Sequence, residues 1–338
     1  MKREPFTISG SEIRAGTRQT VHIPVSRRYS SADLHLPIHV IHGSRPGPTL
    51  FVSAAIHGDE INGVEIVRRL LRRSSLKSIR GTLIAVPILN VYGFLAQTRY
   101  LPDRRDLNRC FPGSPRGSLA GRLAHTFMTE VLSRATHGID LHTGSLHRTN
   151  LPQIRTTLEV PGCQELAESF GAPVILDAAI RPGSLREAAG KLGVPVIIYE
   201  AGEALRFDEV AIRAGVRGVL SAMRGLDMLS ASSKHQRAVK PVVAKGSVWV
   251  RAHESGILGT KLRLGARVEE GQVMGTISDP LGEEEIPIPA PKDGVLIGRT
   301  NLPLINEGDA LFHLGVFTRP DPVADKVERF HEEIDPEY

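Results

Sequence analysis

TLFVSAAIHGDE, residues 49–60, decides the fold. Its first seven residues form a continuous apolar run with β-branched members, the pattern of a strand buried on both faces. A helix is expected directly after it, over residues 60–73. There Ile61, Val64, Val67 and Leu71 recur at helical spacing. Working outward, residues 19–26 and 34–41 are expected as earlier strands and TLIAVPI (82–88) as a later one. Leu119, Leu123, Phe127 and Val131 mark a second amphipathic helix, and GIDLHT (138–143) a strand. Helices are expected at 163–170, 184–192 and 207–226, with the strand VPVIIYE at 194–200. This alternation predicts an α/β fold over residues 1–230, a mixed and largely parallel sheet with helices on both faces.

After a polar linker at 231–237 (ASSKHQR) the pattern changes. Residues 238–318 show no helical period. Short β segments alternate with Gly, Pro and Asp. A weak internal repeat relates residues 254–277 to 292–314. We expect a C-terminal all-β domain similar to the barrel-sandwich hybrid of biotinyl and lipoyl domains, followed by a tail at 319–338. The joining segment DPLGEEEIPIPAP lacks the lysine such carriers modify, so a carrier role is rejected.

Bulk composition narrows the function. The chain has 338 residues, 41% hydrophobic and 23% charged. No apolar run approaches the ~18 residues of a membrane span, and MKREPFTISG lacks the apolar stretch of a secretory signal. No membrane association is expected. Two distant cysteines, Cys110 and Cys163, suit a reducing, cytoplasmic location and are too few for a cysteine-built metal site. The net charge of +5 is partly local, with Arg68, Arg69, Arg72, Arg73, Lys77 and Arg80 crowding one stretch. No aromatic residues interleave there to stack on bases, so a solvated helix face is expected rather than a nucleic-acid site.

The chemistry concentrates in AIHGDE (55–60). His57 and Glu60 fall where a buried strand gives way to a helix, the end of an open α/β sheet at which sites assemble. His142, in GIDLHTG (138–144), also falls at a strand end. Together they make a His₂Glu set suited to a divalent metal with one position left for water. Each piece alone is ordinary. His-x-x-Glu at a helix start is more often a cap or surface pair, and His142 could be a buried hydrogen-bonded histidine. The loop RYLPDRRDLNR (99–109) is arginine-dense, fit for an anionic substrate or for plain solvation. Glu200, ending the strand at 194–200, is either a helix-start charge or a general base.

HGDE, DLNRCFPG, DLHTG and a strand ending in glutamate, in that order, resemble the succinylglutamate desuccinylase/aspartoacylase family, part of the zinc carboxypeptidase clan. The resemblance spans roughly residues 45 to 225. It implies a zinc carboxypeptidase-like α/β fold, one Zn²⁺ per chain on His57, Glu60 and His142, and Glu200 as general base and then acid. It implies that Asn108 and Arg109 bind a substrate carboxylate and that Arg99 polarises the scissile carbonyl, with Arg104 or Arg105 as substitutes. Asp140 would orient a ligand histidine, and Arg186 would be a further substrate-binding arginine. Asp59 stands where the best-known members carry Asn. The implied activity is hydrolysis of a linear, non-peptide amide in a small anionic N-acyl amino acid, by an enzyme that forms a homo-oligomer. Two other readings remain at this point: a carboxypeptidase acting on peptides, and a non-catalytic binding protein on the same fold.

Overall fold

A computed structural model describes residues 3–27, 31–231 and 240–334. The linker expected at 231–237 lies outside the described residues apart from its first position. The chain opens with a small hairpin, β1 (Phe6–Ile8) and β2 (Ser11–Ile13), then the long antiparallel pair β3 (Thr17–Arg27) and β4 (Asp33–His42). β5 (Arg45–Ala54) leads into α1 (Asn62–Leu71), and β6 (Arg80–Val86) into α2 (Val91–Ala96). α3 (Leu119–Glu130), β7 (His137–Gly144), β8 (Arg148–Thr156), α4 (Cys163–Phe170) and β9 (Val174–Asp177) follow. α5 (Leu185–Lys191), β10 (Val196–Glu203) and α6 (Glu209–Gly225) complete the α/β part.

These strands form a mixed sheet whose centre, β6-β5-β7-β10, is parallel. Alternation along β5 shows why its sequence is apolar throughout. Leu50, Val52 and Ala54 pack beneath α1, α4 and α6, while Phe51 packs on the opposite face against α3. Each such fully buried Leu, Val or Phe contributes about 1.5–3 kcal/mol relative to an exposed position. The basic stretch is partly neutralised within the helical layer. Arg68 and Arg69 both donate to Glu65, and Arg69 reaches Glu209 on α6. The Arg68 hydrogen bond, then the Arg69 one, against a small burial penalty, bring the Glu65 carboxyl down to about 2. The solvated helix face expected from composition is thus also laced with ion pairs.

The remaining strands are β11 (Val242–Ala244), β12 (Gly246–Arg251), β13 (Gly256–Gly259), β14 (Arg267–Val268), β15 (Val273–Ser278), β16 (Glu285–Pro289), β17 (Gly294–Thr300), β18 (Leu304–Ile305) and β19 (Ala310–Val316). The internal repeat is visible in their pairing. β13 pairs β15 and β17 pairs β19 within the halves, while β14 pairs β17 and β13 pairs β18 across them. One sheet, β16-β15-β13-β18, stands apart. The other does not: β17 pairs antiparallel with β8, so β12, β19 and β17 continue the main sheet, which has 13 strands among the described residues. The terminal stretch is not a simple tail. It forms α7 (Asp321–Ile334), which buries Val323, Val327, Phe330 and Ile334. No described helix is long and apolar enough to cross a membrane.

Candidate metal centre and cavity

The turn after β5 is held in one shape. Ala55 adopts a positive φ of 50°, and the carbonyls of Ala54 and Ala55 accept from Leu89 and Asn90. Gly58 packs against α2 so closely that a Cβ there would lie 1.9 Å from the Gly93 carbonyl carbon, a contact only glycine permits. This turn delivers His57 and Glu60, and the end of the neighbouring β7 delivers His142. Glu60 Oε1 lies 2.7 Å from His57 Nδ1, and Oε2 lies 2.9 Å from His142 Nδ1. The donor atoms of the three residues all lie within 4.8 Å of one another, and all three side chains are buried.

The opposite ring nitrogens are also held. His142 Nε2 is 2.8 Å from Asp140 Oδ2, and Asp140 Oδ1 accepts from Ser53 Oγ at 2.7 Å. His57 Nε2 is 3.2 Å from Asp106 Oδ1, whose carboxylate is fixed by the Asn108 N–H and by Arg99. In the neutral rings, donation of each Nε2–H to a carboxylate leaves each Nδ1 lone pair facing Glu60. Lone pairs so close repel unless positive charge sits among them. Burial opposes ionisation of Glu60, but His57 and His142 outweigh it and hold its carboxyl far below the usual range. Burial likewise opposes charge on His142, and Asp140 and Glu60 outweigh it, raising that imidazole well above its ordinary value. Two imidazoles and one carboxylate, oriented by outer carboxylates and built to favour positive charge, fit a divalent cation.

These groups open onto a cavity of about 610 Å³. Glu200 on β10 stands in register with His142 on β7 and with Gln153 on β8, and it lines the same cavity. Asn150 Nδ2 donates to Glu200 Oε2 at 2.9 Å, and Arg155 Nε approaches Oε1 to 3.9 Å. Arg99 lines the cavity, donating to Glu60 and Asp106, whereas Arg104 and Arg105 are exposed and lie outside it. Asn108 and Arg109 both line it. The Asn108 side-chain carbonyl accepts from Leu185 N at the start of α5, and Arg109 donates to the Asn108 carbonyl. Arg186 lines it too, with its guanidinium donating to Thr157 Oγ1 and to the carbonyls of Ala178 and Ala179. Those bonds tie the guanidinium to the neighbouring loop.

Sequence reasoning missed Asp106 and Asn150, as well as the wall built by β12 and β19. Trp249 and His313 are cross-strand partners there, with rings stacked 4.2 Å apart and inclined by 4°. Arg148 lies over the Trp249 ring, its Cζ 5.5 Å from the centroid. Asp106 follows two arginines in a loop where they drew the attention. Asn150, Trp249 and His313 carry no local pattern that marks a site.

Residues 46–226 match the succinylglutamate desuccinylase/aspartoacylase catalytic domain. The chain is 26% identical over 319 residues to an N-alpha-acetyl-L-2,4-diaminobutyric acid deacetylase of Halomonas elongata, covering 86% of this chain and 88% of that protein. Its fold is shared with an ectoine utilization protein of Ruegeria pomeroyi (TM-score 0.81, 23% identity, 93% of this chain and all of that one). It also resembles a succinylglutamate desuccinylase/aspartoacylase of Rhodobacter sphaeroides (TM-score 0.77, 25% identity, 88% of this chain and 95% of that one).

Proposed function

Because the chain belongs to the succinylglutamate desuccinylase/aspartoacylase family, we propose that it is a zinc-dependent hydrolase that cleaves the amide bond of an N-acyl amino acid or a related small amide. One observation carries the reading: Glu200 faces the same cavity as the His57–Glu60–His142 cluster, on the strand next to His142. Zn²⁺ on those three residues would supply a Lewis acid that polarises a carbonyl oxygen and acidifies water. The other steps belong to the chain. Asn108 and Arg109 anchor the substrate carboxylate, which places the amide beside Glu200. Arg99, held by Glu60 and Asp106, donates toward the oxygen that gains charge as the acyl carbon becomes tetrahedral. Glu200 takes a proton from the attacking water and returns it to the departing nitrogen. Asn150 donates to one of its oxygens, and the other, 3.9 Å from Arg155 Nε, is the one that carries the proton.

The reading is tested with Glu200→Gln. Turnover of an N-acyl amino acid panel, with peptides and N-acetyl-2,4-diaminobutyrate as further arms, is followed by chromatography, and bound zinc by elemental analysis. The variant is expected to retain zinc and lose about 10²–10⁴-fold in kcat. A purified variant that keeps near wild-type turnover would remove Glu200 from the chemistry. Preferential release of C-terminal residues from peptides would replace the deacylase with a carboxypeptidase.

A further inference from the structure

Opposite ends of the molecule carry opposite charge, each around an apolar feature. The first surface is the loop of the β15–β16 hairpin, DPLGEEE (279–285). Asp279 holds it in one shape. Its Oδ2 accepts from Leu281 N at 2.9 Å, and its Oδ1 from Glu283 N and Glu284 N at 2.7 and 2.9 Å. That shape leaves Leu281 79% exposed, more than any other large apolar side chain described. Glu283, Glu284 and Glu285 are exposed beside it, and no ion pair or side-chain hydrogen bond to a described residue engages them.

The second surface is a hollow of about 240 Å³ between β4 and the segment joining α1 to β6. Buried Ile41, Leu76 and Ile79 line it, together with exposed Arg18 and Lys77. Arg72 and Arg73 follow α1 a few residues before Lys77 and are also exposed. None of these four cations has an ion pair or side-chain hydrogen bond to a described residue. The loop therefore offers a leucine flanked by uncompensated carboxylates, and the hollow offers apolar side chains flanked by uncompensated cations.

The two surfaces do not meet within one chain. Ile277 and Ile288 of the hairpin pack against Leu296 on β17 and Phe312 on β19. Seven strand steps separate β19 from β4 in the sheet, roughly 34 Å at ~4.8 Å per step. They also face opposite edges of that sheet. Ser278, at the loop end of the hairpin, pairs with Ile257, and Ile257 with Leu304, in the segment whose Asn301 N–H donates to His147 beyond the carboxyl end of β7. The hollow instead lies at the amino ends of β5 and β6, beside Gly43 and Ile79.

We infer that the β15–β16 loop of one chain docks into the β4 hollow of a second copy, with Leu281 among Ile41, Leu76 and Ile79 and the three glutamates facing Arg72, Arg73 and Lys77. The loop is already ordered, so docking costs little further entropy. The contact joins two different surfaces, so each chain gives its loop to one neighbour and its hollow to another. Assembly then runs past the dimer, into a ring or an open chain. One loop covers less area than a stable complex buries, so the contact is weak and depends on concentration. It is independent of the hydrolytic reading, because neither surface reaches the catalytic cavity.

The full chain is followed by sedimentation velocity from ~1 to ~500 µM, in ~50 mM and ~500 mM NaCl. The mean mass is expected to climb past two chains at low salt and to fall back at high salt, where exposed charges are screened. Leu281→Asp is expected to raise the dissociation constant about tenfold or more, the scale of one leucine's burial. Lys77→Glu and Glu284→Lys are each expected to weaken association about fivefold, since like charges then face each other. Their equimolar mixture is expected to regain wild-type association, because every mixed contact pairs opposite charges again. Circular dichroism checks that each variant is folded. A wild-type mass that stays at one chain throughout, an assembly unchanged by Leu281→Asp, or a mixture that associates no better than its components overturns the docking.

Discussion

Asp106 uses both carboxylate oxygens, one toward His57 Nε2 and one toward Arg99, and so joins the His57–Glu60–His142 cluster to the arginine loop. Burial alone would raise its carboxyl, but His57 and then Arg99 hold it below the usual range. Asp106→Asn keeps the size and loses the charge. Zinc affinity, measured by competition with a chelator, is expected to fall about 10–100-fold with the circular dichroism spectrum unchanged. Wild-type affinity would strip Asp106 of this role. Residues of this kind mark the limit of what a sequence discloses. His57, Glu60 and His142 were legible because strand-end motifs occur together in order. Asp106 was not, because its partner lies 49 positions earlier in the chain. Arg99 could not be told from Arg104 or Arg105 by spacing. A turn at Arg104, with φ 61°, leaves Arg104 and Arg105 in solvent, whereas Arg99 lines the cavity.

At the level of elements, hydrophobic periodicity located most of the strands and helices that pack on the core, but not the short strands β1, β2 and β9, which bury Ile8, Ile13, Val174 and Ile175. It also failed at one strand that lines the cavity. β8 has the sequence RTNLPQIRT and was passed over, since Arg148, Asn150 and Arg155 occupy positions a buried strand usually gives to apolar residues. Only Leu151 and Ile154 betray its core side. Such conflicts between local pattern and fold are expected at functional sites. α7 was missed for another reason. Its apolar positions 323, 327, 330 and 334 have helical spacing but are surrounded by charge, so the segment resembles a solvated end. Phe330 is nevertheless buried, with Arg217 lying over its ring. Phe330→Ala is expected to cost about 3–5 kcal/mol in urea unfolding at neutral pH. A loss below about 1 kcal/mol would show that α7 contributes little to the core.

Across the whole molecule, the sheet runs without interruption from β12 through β19, β17 and β8 to β10. His313 lies within that run, buried, with neither ring nitrogen hydrogen-bonded. Burial, and then Arg155, pushes its imidazole down to about 3. The unfolded chain protonates this histidine near pH 6.5, while the folded protein resists until about 3. The unfolded state therefore binds more protons in that window, and stability is lost as pH falls through it. His313→Phe, which keeps a ring against Trp249, is expected to remove about 2 kcal/mol of the wild-type loss between pH 7 and 5. The comparison of urea midpoints at both pH values checks this, and parallel pH profiles would assign the loss to other groups. The same unbroken run has a kinetic side. Trp249 and Glu200 are fastened to one hydrogen-bonded framework, so these two sides of the cavity have no hinge between them. A ligand meets walls already set when the chain folded, and little ordering of those walls is left to slow its arrival or weaken its grip.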